Sequence, residues 1–197
     1  MMLTIVRHAE TEENRRDISQ SQEGGTISRK GKRQLEKLAK QLSTRDFDVI
    51  LSSDSRRTME TARAVSRSRK IRIIPDLLLR ERSMGCFVGK PRREFWDARA
   101  KSGLSKTEYR PPGGENYIDL SKRAQRFLAR VLKRKEKSIL IVTHGGFIKM
   151  LYGELFGIAP EKAFLVEFGN AGITTVSICS KPKLLQKNYR RHLEGCR

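Results

Sequence analysis

Cysteine is scarce in this chain. Its 197 residues include three, Cys86, Cys179 and Cys196, an odd number with no CxxC spacing. That count excludes a disulfide framework and a cysteine zinc site, and the expected setting is a reducing, cytoplasmic one. Long apolar runs are missing too. No window holds the ~18 or more apolar residues of a membrane-spanning helix. The apolar start, Met1 to Val6, meets Arg7-His8 too early for a secretory h-region, so no membrane partner is expected. Aromatic residues make up only 7%, with one Trp and four Tyr, a poor supply for a base-stacking platform. Acidic residues are heavily outnumbered. Asp plus Glu is 22 against 42 Lys plus Arg, a formal net charge of +20. Partners or substrates are therefore expected to be anionic. Charge alone does not choose between nucleic acid, a lipid surface and small phosphates.

The length suits one domain, 1–197, and 37% hydrophobic residues argue against disorder. Leu3 to Val6 reads as a short buried strand, followed by the polar cluster Arg7 to Glu13. Ser28 caps a helix whose Leu35, Leu38, Ala39 and Leu42 share one face. Asp48 to Ser52 is a second strand, and Ser53-Asp54 is read as the cap of a helix through Val65. Ile71, Ile73 and Ile74 form a third strand, stopped by Pro75. Residues 82–114 are rich in Gly and Pro around Phe95 and Trp96, which reads as a lid-like excursion with these rings packing the lid. A helix resumes from Glu115. Ser138 to Thr143 is a strongly β-branched strand that turns at His144-Gly145-Gly146 into a helix through Leu155. Gly172 to Cys179 is a last strand, and 181–197 reads as a basic tail. The alternation implies an α/β three-layer sandwich: a mainly parallel central sheet with helices on both faces.

Two segments share one design, LTIVRHAET with His8 and ILIVTHGG with His144: apolar strand, histidine, helix. Ligands of open α/β sheets bind beyond the carboxyl ends of strands, and helix N-termini and glycine amides there favour anions. Arg7 adjoins His8, and Arg56-Arg57 follow the second strand, with guanidinium forks that match phosphate oxygens. These residues suggest a phosphate pocket in which one neutral imidazole attacks phosphorus while the other and the arginines stabilise charge. A leaving alkoxide would need a carboxylic acid nearby, which the residues alone do not identify. They also leave open two structural histidines, or two metal ligands without a third.

The motifs resemble those of the histidine phosphatase superfamily, also called phosphoglycerate mutase-like. RHAETEEN, Arg7 to Asn14, is similar to RHGExxxN, with Ala9 replacing glycine. Gln20 and Ile27-Ser28-x-x-Gly31 fall at the spacing of its next stretch. SSDSRRTMETA, Ser52 to Ala62, resembles SSxxxRAxxTA. LLLRERSMGCFVGK, Leu77 to Lys90, resembles LxExxxGxxEG, with Val88 where many members have glutamate. PPGGENYIDLSKRAQRFL and VTHGG follow in family order, and Asn170 and His192-Leu193 are similar to family tails. The resemblance implies His8 as nucleophile through a phosphohistidine, and Glu81 as general acid and later base. It implies Arg7, Arg57 and His144 as phosphoryl-binding groups, helped by Asn14, Gln20 and the Gly145 backbone. Arg56 is the rival to Arg57, and Thr11 and Glu115 are further candidates. No metal or organic cofactor is implied. PPGGE points toward small phosphatases such as fructose-2,6-bisphosphatase-like members.

The implied function is a metal-independent phosphatase for small anionic phosphomonoesters. One alternative is a cofactor-dependent phosphoglycerate mutase, although those carry histidine soon after the acid, where this chain has Arg82-Ser83. The alternative of another class is a nucleic-acid or polyanion binder, for which no motif stands out. Arg82, Lys90 and Arg110 are expected at the pocket rim. Oligomeric state is not legible.

Overall fold

A computed structural model of the chain describes residues 1–20, 22–67 and 69–196. Its elements run β1 (Met2–Arg7), α1 (Glu12–Arg15), α2 (Arg29–Leu42), β2 (Val49–Ser52), α3 (Arg56–Ser66), β3 (Ile73–Pro75) and α4 (Arg92–Lys101). They continue with α5 (Tyr117–Val131), β4 (Ser138–Thr143), α6 (Gly145–Phe156), α7 (Pro160–Ala163), β5 (Ile173–Ile178) and β6 (Pro182–Tyr189). The described strands form one sheet in the order β3-β2-β4-β1-β5-β6. β1 to β4 are mutually parallel where they pair, and β5 and β6 add antiparallel.

The sheet has a core on each face because side chains alternate along every strand. Leu3, Ile5, Val49, Leu51, Ile139 and Ile141 point to one side, where α5 and α6 cover them with Leu120, Phe127, Phe147 and Leu151. Val6, Ile50, Leu140, Val142 and Ile173 point to the other, beneath Leu38 and Leu42 of α2 and Ala62 and Val65 of α3. Strands buried on both sides read as continuous apolar runs, which is how β1 and β4 look in the sequence. Three layers follow directly.

Local caps fix the helix starts. The Ser28 hydroxyl accepts from Gly31 N at 2.9 Å, as expected. The third helix departs from expectation. Its N-cap is Ser55, because the Ser53 hydroxyl contacts His144 and the Asp54 carboxylate is taken by Arg80. Pro75 does not stop β3 but ends it from inside, in register with Ser52 on this edge strand. The polar cluster after β1 holds the short helix α1, closed by a capping box between Thr11 and Asn14.

Residue 197 lies outside the described residues, and residues 181–196 are not simply a tail. They form β6, paired antiparallel with β5, then a 3-10 turn, Arg191–Leu193. Residues 82–114 do leave the sheet, as expected of an excursion, and contain α4. Phe95 there is buried, edge-on to Phe87 at 5.7 Å and to Trp96 at 4.9 Å.

Phe127 of α5 is fully buried against the sheet and meets Phe147 edge-on at 5.7 Å. Phe127→Ala should cost about 3–5 kcal/mol of stability, measured by denaturant unfolding. A loss below about 1 kcal/mol would contradict this packing.

Candidate active site

Sheet order creates the site. β4 inserts beside β1 in parallel register, with Arg7 opposite Thr143, so the next residues, His8 and His144, emerge together at the carboxyl end. Their ring centroids are 5.3 Å apart. His8 N donates to Thr143 O at 2.9 Å, which ties the two turns together. Asn170 Nδ2 braces the same turn by donating to His8 O at 3.0 Å.

Hydrogen bonding sets both tautomers. His8 Nδ1 lies 2.7 Å from Ala9 O. A carbonyl only accepts, so Nδ1 carries the proton and Nε2 keeps its lone pair. His144 Nδ1 accepts from Arg57 Nε at 3.3 Å, and its Nε2 donates to Ser53 Oγ at 2.9 Å. Burial and the nearby Arg57 hold both imidazoles well below the usual histidine range, and Arg7 adds to the effect.

The arginines are buried cations. Arg57 of α3 is 1% exposed, and its Nη1 donates to Gly24 O. Gly25 has φ +108, and a Cβ there would lie 2.7 Å from Arg57 Cδ, so glycine gives this guanidinium its room. Arg7 Nη1 donates to Phe168 O at 2.8 Å. Desolvation lowers both guanidinium pKa values to about 10, with Glu81 opposing the shift. Both cations remain charged at neutral pH. Arg7 Nε and Gln20 Oε1 are buried polar atoms without a hydrogen-bond partner among the described residues. A donor and an acceptor left open at one cavity suit a ligand that completes them.

Glu81 reaches the start of α6. Its Oε2 accepts from Gly146 N at 3.0 Å and its Oε1 from Arg82 N at 2.9 Å. A Cβ at residue 146 would collide with Oε1, so the second glycine of HGG admits this carboxylate. Arg123 of α5 fastens the Glu81 segment, donating to Leu78 O at 2.9 Å and Glu81 O at 3.1 Å while paired with Glu115 at 2.7 Å.

Arg7, His8, Asn14, Gln20, Arg57, Glu81 and Gly145 all line one cavity of about 420 Å³. His144 lies fully buried beneath it, in contact through Arg57. Asn14 Oδ1 is engaged by Thr11 N and Asn170 Nδ2. The rival Arg56 is set aside, as the spacing favours, and the two further candidates are occupied elsewhere. Arg56 points outward to Glu60, Thr11 is spent on its cap, and Glu115 serves Arg123 and Ser83 N. Of the three rim cations expected, Arg82 lines the cavity, whereas Lys90 packs on Phe87 and Arg110 pairs with Asp119. Phe95 and Trp96 do both jobs, packing the lid and walling the cavity.

The residues missed are Ser53, Arg92, Lys149, Asn188 and Arg190. Ser53 carried a visible signal as the second serine of SSDS. The others meet only in the folded chain, Arg92 from α4, Lys149 from α6, and Asn188 and Arg190 from the end of β6. Ala9 is accommodated: it is fully buried, its φ is not positive, and its N donates to Thr61 Oγ1 at 3.2 Å.

The chain is similar to known proteins over almost its whole length. The sequence profile of the histidine phosphatase superfamily (branch 1) matches residues 3–188. A relative from Hydrogenobacter thermophilus, provisionally named phosphoserine phosphatase 2, is 32% identical over 181 residues, 88% of each chain. The crystal structure of the alpha-ribazole phosphatase from Shigella flexneri superposes with a TM-score of 0.88 at 25% identity, covering 96% of both chains. A phosphoserine phosphatase from Entamoeba histolytica, solved with 3-phosphoglyceric acid, gives 0.83 at 26% identity over 98% of both. On sequence, fold and the meeting of its motifs, the chain belongs to the histidine phosphatase superfamily.

Proposed function

We propose that the chain is a metal-independent phosphatase for small anionic phosphomonoesters, working through a phosphohistidine on His8 as one cytoplasmic domain. The observation that carries this reading is the bond from His8 Nδ1 to Ala9 O, which leaves the Nε2 lone pair at a cavity lined by Arg7 and Arg57. Neutral imidazole is the nucleophilic form; burial, seconded by the two guanidinium groups, holds it neutral, and the guanidinium groups attract the phosphate.

In the first step Nε2 forms a bond to phosphorus as the bond to the leaving oxygen breaks. Glu81, as the acid, delivers a proton to that oxygen. Arg7, Arg57 and the Gly145 amide balance charge on the three equatorial oxygens, and His144 acts through Arg57, accepting from its Nε. Water then attacks the phosphohistidine, Glu81 accepts its proton, and inorganic phosphate and neutral His8 are restored. The arginines supply the positive charge that a metal provides elsewhere.

His8→Ala should reduce hydrolysis of 4-nitrophenyl phosphate to background and abolish an acid-labile phosphoenzyme. Retained labelling would contradict the assignment. Glu81→Gln should slow an alkyl phosphate by ~10²-fold or more and 4-nitrophenyl phosphate much less, since only the alkoxide needs the proton. Equal losses would remove Glu81 as the acid. Vigorous conversion of 3- to 2-phosphoglycerate after priming with bisphosphoglycerate would replace the phosphatase reading by a mutase.

The neutral histidines also make stability depend on pH. Unfolded imidazoles take up a proton below about pH 6.5, while buried His8 and His144 resist it. The unfolded state then binds more protons, so stability falls as pH drops below about 6.5, by up to about 1.4 kcal/mol per pH unit for each imidazole. Thermal melts from pH 8 to 5 should show this fall, and His8→Asn should make it shallower. An identical slope in the variant would contradict a neutral His8.

A further inference from the structure

We propose, resting on the phosphatase reading, that the PPGGE segment, Pro111 to Glu115, is a clasp for the acid: Glu115, locked to Arg123, sets the Glu81 carboxyl for proton transfer without touching substrate. Glu115 and Arg123 are positioning residues of the step in which the leaving group departs.

The segment stands away from the substrate. None of residues 111–115 lines the cavity, and neither does Arg123. Pro112 to Glu115 instead lie beside Ser83 to Cys86, so the two feet of the excursion 82–114 close on each other. Glu115 N donates to Ser83 O at 3.0 Å, Ser83 N donates to Glu115 Oε2 at 2.9 Å, and Cys86 N donates to Pro112 O at 3.0 Å. The approach is close enough to need glycine on both sides. A Cβ on Gly85 would strike Pro112 O, and one on Gly114 would lie 2.7 Å from Ser83 O.

Arg123 of α5 bolts the closed feet to the core. It is 7% exposed, and its five N–H donors are all taken. Nε and Nη2 grip the Glu115 carboxylate at 3.1 and 2.7 Å, a two-point fork that fixes direction as well as distance. The other donors go to Leu78 O, Arg80 O and Glu81 O. Leu79 O accepts from Thr143 Oγ1 at 2.7 Å, and Glu81 O accepts also from Gln22 Nε2 at 2.9 Å. Every carbonyl from Leu78 to Glu81 is therefore held, and most of that hold runs through one guanidinium that Glu115 keeps in place.

Fixing the main chain this tightly has a chemical use. A carboxyl that first gives and then takes a proton must reach the leaving oxygen and the water from one place, and a misplacement of ~1 Å costs up to ~10²-fold in rate. The Glu81 carboxylate is bonded to Gly146 N and Arg82 N, and the rest of its placement comes from the main chain beneath it. Without Glu115, Arg123 would be a buried cation short of its counter-charge, and the carbonyls it gathers would lose their common anchor.

The test is kcat/KM, which covers the steps through departure of the leaving group, across 4-nitrophenyl phosphate, phenyl phosphate and glycerol 3-phosphate. Glu115→Gln should lose more as the leaving group becomes more basic, roughly tenfold or more for glycerol 3-phosphate and about threefold or less for 4-nitrophenyl phosphate. Arg123→Lys keeps the charge without the fork and should show the same trend. The two changes together should cost little more than one, as residues of a single network do. Gly114→Ala leaves the ion pair intact and presses the feet apart, so it carries the same readout where Glu115→Gln fails to fold. Losses equal for the three esters in folded variants, or no loss, overturn the clasp. If the wild-type protein hydrolyses none of the three, the phosphatase reading fails instead. Carbon-13 NMR of the Glu81 carboxyl then decides the clasp: Glu115→Gln should move that resonance, and an unchanged one overturns it.

Discussion

Positive charge held out of water at the carboxyl ends of β1 and β4 is the constraint on which the rest of the site depends. A buried guanidinium is costly unless its donors are satisfied and its charge is compensated. Here several donors meet carbonyls, Gly24 O for Arg57 and Phe168 O for Arg7, and the ring nitrogen of His144, while Arg7 Nε has no partner among the described residues. Those carbonyls come from loops whose only common feature is that they converge on this end of the sheet. Burial first, and the same field after it, keeps the imidazoles neutral. Together they oppose a further proton on His8 and His144, and the hydrogen bonds to Ala9 O and Ser53 Oγ then select one tautomer of each. Anion attraction and nucleophile activation are therefore one electrostatic arrangement.

Such an arrangement needs space as much as charge. Three glycines stand where a side chain would strike a charged group: Gly25 at Arg57, Gly146 at Glu81 and Gly169 at Arg190. Each lets backbone and a charged side chain approach closely, and in two of the three the approach also makes or adjoins a backbone hydrogen bond, Gly146 N to Glu81 and Gly169 N to Asn188. Glycine at these points sets where the charges sit, and charge position sets the chemistry.

What was legible in the sequence followed from contiguity. β1 and β4 are buried on both faces, so each is an unbroken apolar run, and the histidines directly after them were visible as a pair. The Ser28 cap was visible because one serine precedes one periodic helix. The start of α3 was not, because Ser53, Asp54 and Ser55 are equivalent as caps in sequence, and only tertiary partners for the first two leave the third. In sequence β6 resembles a tail because an outer strand with Lys183, Gln186 and Lys187 has no apolar run; charged side chains are how an exposed edge avoids pairing with other chains. Glu81 could be demanded by the chemistry and not chosen from the residues, since Arg80 and Arg82 make it look like a solvated charge. Lys149 and Arg190 lay beyond sequence reasoning altogether, because a register shift between two antiparallel strands carries one of them to the site.

The net charge of +20 then divides by what each cation touches. Arg130 with Asp76, Arg110 with Asp119 and Arg134 with Glu136 are pairs at the surface, of small energetic consequence. Arg82 and Arg123 are structural. One is packed between Phe95 and Tyr117, the other fastens the segment carrying Glu81, and each is bonded to carbonyl oxygens. A further set converges on one concave surface, where low-dielectric walls focus the potential and raise the local concentration of anions. Because Arg82 anchors the lid by its guanidinium face while Arg92 on the same excursion turns its charge to the cavity, the lid is tied to the core by one cation and addressed to substrate by another. Charge in this region therefore links the shape of the cavity to the chemistry it accepts.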